Sequence, residues 1–427
     1  AVTAVLAASA MLWLAGSTAG AWSSNDGAVS FTPGLHGSGE LVVDGSGNIY
    51  HFGTFSCCYQ TVDLDPGPGT FNHQGEGYIR KFDSSGTFVW GKSIASWTSR
   101  LFINAGAVDG SGNIFVAGYV TGDGYLDPET ETTPFTTGNS YDSFFLKLDS
   151  SRNFVWGKHF SATTWGRATN LVLDGSGNIY VSGEFQGTVD FDPGPGTESV
   201  TSTSTAQGAR DRFVSKFDSS GNFTWTRTFP HAVQSAHLAV DGSSNVYVGG
   251  TFKYTADFDP DPVDEELRTS NGLVAHRASA FVVKLDSSGD FQWVQNPGCS
   301  NEQGPNGTCG SYWSTGGIVV EAGGGNVYWS GYFADSGPPV DFDPDPDDQD
   351  LVEHTANTYS GGVWKLSSSG DYQWVKSFGE PNNPSDVVST NIYDIAIDSS
   401  NNLYVGGSAQ AGGDFDLDPG SNTIALD

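Results

Sequence analysis

Val43-Asp44-Gly45-Ser46-Gly47-Asn48-Ile49-Tyr50, then Asp63-Leu64-Asp65-Pro66-Gly67-Pro68-Gly69, then Lys81-Phe82-Asp83-Ser84-Ser85-Gly86-Thr87-Phe88-Val89-Trp90: three phrases in this order recur six times along the chain, the last time incompletely. The first phrase returns ending at Asn113, Asn178, Asn245, Asn326 and Asn402, at spacings of 65, 65, 67, 81 and 76 residues. A period of this size is the mark of a repeat architecture, so the fold is set by the unit and not by any single residue. It also argues against an enzyme, because every unit carries the same residues and none carries an obvious reactive set of its own.

Within the third repeat four short segments read as strands. They are Ala168–Leu173, Ile179–Phe185, Phe213–Phe217 and Phe223–Arg227, each rich in β-branched or aromatic residues and roughly alternating. Asp174-Gly175-Ser176-Gly177-Asn178 joins the first pair and Asp218-Ser219-Ser220-Gly221-Asn222 the second. Gly and Asn there supply the positive φ of tight hairpins, and the Asp can bond its own backbone. Four antiparallel strands per unit, with no helical pattern between units, describe a propeller blade.

The phrases DGSGNIYVxG and KFDSSGNFVW resemble those of the bacterial SBBP repeat family, and the resemblance runs over about residues 38–427. It implies a secreted or surface β-propeller. The family name refers to seven blades, whereas six repeats are present here.

The two ends fit a ring. The sixth repeat stops at Thr423-Ile424-Ala425-Leu426-Asp427, which resembles the third strand Val282-Val283-Lys284-Leu285-Asp286. Its fourth strand, with the Trp, is missing from that end, but Ala21-Trp22-Ser23-Ser24 resembles Val89-Trp90-Gly91-Lys92. The expected fold is therefore all-β: a six-bladed propeller of four-stranded antiparallel blades over residues 21–427, its last blade closed by the N-terminal strand. Residues 1–20 are apolar and uncharged. They are expected to form a hydrophobic helix that anchors in a membrane or packs on copies of itself, with a signal-peptide remnant as the alternative.

Composition narrows the function. Acidic residues number 49 against 18 basic, a net charge of -31, which excludes nucleic acid as a natural partner. Aromatics at 13% are too many for a disordered chain. Cys299 and Cys309 bracket a loop of turn formers and are expected to form a disulfide, while the adjacent Cys57 and Cys58 could be a vicinal disulfide, free thiols or cross-links. Cysteines so used lean towards an extracellular or cell-surface setting.

The second phrase carries the chemistry. It reads Asp63-Leu64-Asp65, Asp190-Phe191-Asp192, Asp257-Phe258-Asp259, Asp341-Phe342-Asp343 and Asp416-Leu417-Asp418, with Tyr125-Leu126-Asp127 as the exception, and Pro follows each. In an extended segment residues i and i+2 share a face, so paired carboxylates are expected to bind Ca²⁺ with following carbonyls. The competing reading is a solvated acidic turn. The Asp-Gly-Ser-Gly-Asn phrases read as turns without metal, the repeated Trp as blade core, and Lys81, Lys147, Lys216, Lys284 and Lys365 as partners of nearby acids. No catalytic residue stands out. The expectation is a non-enzymatic, calcium-stabilised surface or filament subunit that self-associates or meets a membrane through residues 1–20. The alternative is a secreted adhesin that binds glycan or protein, with a secreted hydrolase a distant third.

Overall fold

The computed structural model describes residues 2–6, 11–13, 28–30, 40–54, 62–65, 67, 69–73, 77–94, 100–127, 133–137, 141–203, 209–261, 263–270, 278–299, 312–334, 340–343, 351–352, 359–378, 380–381, 388–398, 401–411 and 415–416. They are all-β and propeller-like, with no helix among them. The chain divides into two compact units, one of residues 10–228 and one of residues 1–9 with 229–427.

The first unit holds three four-stranded antiparallel sheets. Sheet one is Glu40–Val43, Ile49–Thr54, Gly77–Phe82 and Phe88–Ile94. Sheet two is Arg100–Val108, Ile114–Thr121, Tyr141–Leu148 and Phe154–Phe160. Sheet three is Trp165–Leu173, Ile179–Gln186, Asp211–Phe217 and Phe223–Phe229, the last residue falling across the unit boundary. A single parallel pairing, Tyr141 with Trp165, links sheets two and three.

The second unit repeats the plan. Sheet four is Val233–Val240, Val246–Phe252, Ser279–Leu285 and Phe291–Gln295, and sheet five is Tyr312–Val320, Val327–Ala334, Tyr359–Leu366 and Tyr372–Phe378. In sheet six, Val388–Ile397 pairs Leu403–Ala411, whose other edge takes Val2–Leu6 in parallel.

That last pairing corrects the reading of the N-terminus. The expected helix over residues 1–20 is replaced, where the segment is described, by strands Val2–Leu6 and Met11–Trp13. The exposed edge of Leu403–Gly407 offers backbone partners, and Val2, Thr3 and Val5 are β-branched, so extension is the favoured state there. An N-terminal strand does join the last sheet, but it comes from residues 2–6 and runs parallel. Ala21–Ser24, assigned that place from the Trp spacing, lie outside the described residues, as do Cys57, Cys58 and Cys309. Among the described residues no helix is long and apolar enough to cross a membrane.

The turns form as the motif dictates. In sheet three Asp174 Oδ1 accepts the amides of Ser176 and Asn178, both at 2.9 Å, and Gly177 sits at φ 79°. Asn178 Nδ2 and the Tyr180 hydroxyl donate to Asp174 Oδ2 at 2.7 and 3.2 Å. The Trp of the fourth strand packs edge-on against the aromatic that follows this turn, as Trp225 does with Tyr180 at 6.3 Å. The repeated Lys covers the same ring, Lys216 Nζ lying 5.1 Å from the Tyr180 centroid. Lys81 also reaches Asp44, at 3.6 Å. These residues are structural, as their repetition suggests.

The glycine closing DGSGNIYVxG has its own cause. The first strand of sheets two to six carries a one-residue bulge, between Ala168 and Asn170 in sheet three. Gly183 lies opposite it, and a β-carbon there would run into the carbonyl oxygen of Arg167. Gly118, Gly250 and Gly407 meet the carbonyls of Phe102, Ser235 and Asn391 in the same way. Gly183→Ala is therefore expected to cost about 1–3 kcal/mol, read as a lowered urea midpoint with an unchanged slope.

Candidate functional site: the acidic hairpins

The acidic phrase forms a small hairpin slung between the second and third strands of a sheet. Its strands are Val62–Asp63 with Asn72–His73, Gly124–Tyr125 with Pro134–Phe135, Thr188–Asp190 with Ser199–Thr201, and Thr255–Asp257 with Leu267–Thr269. In the fifth repeat Val340–Asp341 pairs Leu351–Val352 and, on its other side, Gly298–Cys299; in the sixth, Phe415–Asp416 makes the equivalent outer pairing with Glu380–Pro381, which precede the first strand of the sheet. The middle residue of the phrase anchors the hairpin: Leu64, Leu126, Phe191, Phe258 and Phe342 are at most 1% exposed. Alternation thus buries the apolar residue and leaves its two acidic neighbours on the other face.

The carboxylates are committed to the turn. Asp63 Oδ1 accepts the amides of Asp65 at 3.0 Å and Phe71 at 2.7 Å. Asp190 Oδ1 takes Asp192 at 3.2 Å and Glu198 at 2.8 Å, and Asp257 Oδ1 takes Asp259 at 3.1 Å and Glu266 at 2.9 Å. Asp341 Oδ1 accepts Asp343 at 3.1 Å. The second acid makes its own turn: Asp65 accepts Gly67, Asp192 accepts Gly194 and Asp259 accepts Asp261, at 2.8–2.9 Å. The glycines of the Pro-Gly-Pro-Gly run make room for it, since a β-carbon at Gly69 or Gly196 would strike the carboxylate of Asp65 or Asp192.

The proposed pairs Asp63/Asp65, Asp190/Asp192, Asp257/Asp259 and Asp341/Asp343 therefore each sit within one turn, in four separate repeats. Of Asp416 only the backbone is described, and Asp418 lies outside the described residues. In the second repeat Tyr125 replaces the first acid, while Asp127 is 3% exposed. Among the described residues no group of three or more His, Cys, Asp or Glu is placed to hold a metal ion.

One polar cluster escaped the reading of the sequence. Arg80, 1% exposed, donates from Nε to His51 Nδ1 at 2.9 Å, and His51 also packs edge-on against Tyr78 at 5.3 Å. Burial, aided by the Arg80 charge, pushes the His51 pKa down to about 3, and burial brings Arg80 down to about 10. His51 and Arg80 lie in strands that are buried at nearly every position, so no periodic pattern sets the pair apart.

Bulged first strands in sheets two to six, hairpins carried between strands two and three, and a Trp in the fourth strand of sheets one to five define a β-propeller repeat protein. Residues 373–416 match the model of the SBBP β-propeller repeat, so the chain carries a repeat of that family. The match runs from the Trp strand of sheet five to the acidic hairpin of the sixth repeat. The chain is also similar to an uncharacterised WD repeat-containing protein of Acanthamoeba polyphaga mimivirus, with 25% identity over 174 residues. That alignment covers 34% of this chain and 12% of the relative.

Proposed function

We propose that this chain is a non-enzymatic, extracellular structural subunit: a six-bladed, calcium-stabilised propeller displayed on a cell surface or in a filament. The observation that carries the reading is the distribution of the acidic hairpin. The same device recurs on one repeat after another, as a scaffold needs and as a single reactive centre does not. The hairpins of the first, third, fourth and fifth repeats each hold two carboxylates in one turn, and hard oxygen donors of this kind suit Ca²⁺. Residues 1–20 supply the apolar segment for self-association or a membrane.

Chelation with EGTA is expected to lower the melting temperature of the purified chain, since an ion that binds only the folded state stabilises it; an unchanged value removes calcium from the reading. Electron microscopy is expected to show polymers that disappear when residues 1–20 are deleted. Monodisperse particles from the full chain would end the filament version. A binding module is the second reading, favoured by a row of rings on sheets two and three over which Arg100, Arg167 and Arg210 lie.

A further inference from the structure

We propose that this arginine–aromatic face docks the acidic hairpin tip of the fourth repeat from a second copy of the chain. The inference rests on the structural-subunit reading and names a contact through which copies join.

The face straddles the seam where Tyr141 pairs Trp165. Four rings run across it: Phe102 stacks on Tyr119 at 4.5 Å and 8°, Tyr119 meets Tyr141 at 5.7 Å, and Tyr141 meets Trp165 at 6.4 Å. Guanidinium groups lie over three of them. Arg100 is 5.8 Å from Phe102, Arg167 5.3 Å from Tyr119 and Arg210 3.6 Å from Trp165. Arg210 and Arg212 grip the two oxygens of Glu184 at 3.1 and 2.9 Å, which holds both at the edge of the row. Four of the 18 basic residues thus gather on one face of a chain whose net charge is -31. Tyr141 is 41% exposed. Trp165 stands outside the Trp register of the repeat, so blade packing does not account for it. Tyr, Trp and Arg are the residues that anchor protein interfaces, and a guanidinium stacked on a ring still presents positive charge to an incoming carboxylate.

The fourth hairpin offers the complement. Around its tip Asp261, Asp264 and Glu265 are exposed, together with Val263 at 85% and Leu267 at 51%. At its base Tyr254, 57% exposed, adopts φ 62° where the second and third repeats use Gly122 and Gly187 at 80° and 81°. A bulky residue kept in the left-handed region costs free energy, which points to a use for the ring. The hairpin brings acids and apolar side chains, and the face brings guanidinium groups and rings. Because the two patches differ, the contact is heterologous and repeats from copy to copy, as a filament requires.

Sedimentation velocity of the full chain near physiological salt tests this. The wild type is expected to associate with rising concentration. Asp264→Arg with Glu265→Arg, placed at an exposed tip, should weaken association roughly tenfold or more, and so should Arg100→Glu with Arg210→Glu. Mixing the two variants should restore it, since each then meets its opposite. Circular dichroism checks folding; if the face variant unfolds, the tip variant alone decides. A tip variant that associates like the wild type, folded variants that fail to rescue each other, or a wild type that sediments as one species throughout overturns the contact. Polymers that survive tip reversal but vanish without residues 1–20 remove this contact and leave the subunit reading intact.

Discussion

Phe191→Ala is expected to lower the unfolding free energy by about 3–5 kcal/mol, measured as a reduced urea midpoint. The ring lies between two acids in the acidic phrase, yet it is fully buried. It meets Phe160 at 5.6 Å, Phe185 at 5.3 Å and Phe213 at 4.9 Å, so truncation leaves a cavity among aromatic rings that cannot collapse cheaply. The hairpin loses its anchor at the same time, and the carboxylates on either side lose the frame that positions them. Asp192→Asn removes a charge from the half-buried turn and is expected to cost less than 1 kcal/mol. A Phe191→Ala variant as stable as the wild type would show that the hairpin does not depend on its buried residue.

The second large effect is with pH. His51 has a folded pKa of about 3 against an ordinary value of 6.5, because burial and the neighbouring Arg80 charge disfavour the imidazolium. The folded state therefore binds fewer protons than the unfolded state between these values. The contribution of neutral His51 is complete above about pH 6.5 and is lost as pH falls towards 3. By pH 4.5 the loss is on the order of 2–3 kcal/mol. His51→Asn should flatten this part of the profile. The measurement is the difference in urea midpoint between pH 7.5 and pH 4.5 in both proteins. Turn carboxylates add acid sensitivity of the same sign: hydrogen bonds from Ser85 and Thr87 hold Asp83 below its usual range, for example. They titrate alike in both proteins and cancel in the comparison. Equal losses in the two would remove His51 as the cause.

Much of the unit was legible because its causes are local. A tight hairpin needs positive φ, and Gly47, Gly112, Gly177 and Gly221 take it where the motif places them. The assignment survives substitution, since Ser244 and Asn401 hold the same conformation with their turn bonds to Asp241 and Asp398 intact. Strand alternation accounts for the burial of Phe191 and Phe258 between acids, although the reading of the sequence named only the carboxylates. The acids themselves were half legible. Spacing put them on one face, but it did not show that their oxygens would be taken by the amides of Phe71, Glu198 and Glu266 across the hairpin.

Residues 1–20 were misread for a definite reason. Their composition of Ala, Val, Leu, Ser and Gly suits a helix, a membrane or a strand, and the choice depends on which backbone partners lie nearby. The free edge at Leu403–Gly407 belongs to the far end of the sequence, and pairing with it makes Val2–Leu6 a strand. The arginine–aromatic row has the same character. Phe102, Tyr119, Tyr141, Trp165 and Arg210 are scattered over more than a hundred positions and meet only once two sheets are joined. The repeat, its strands and its turns could be read from the chain alone, because they rest on φ preference, side-chain period and hydrogen bonds within a few residues. Tertiary structure alone decided the path of the N-terminal strand, the burial of His51 beside Arg80 and the gathering of basic residues on one face of an acidic chain. Those depend on long-range pairing, where local preference is weak and the available partner sets the outcome.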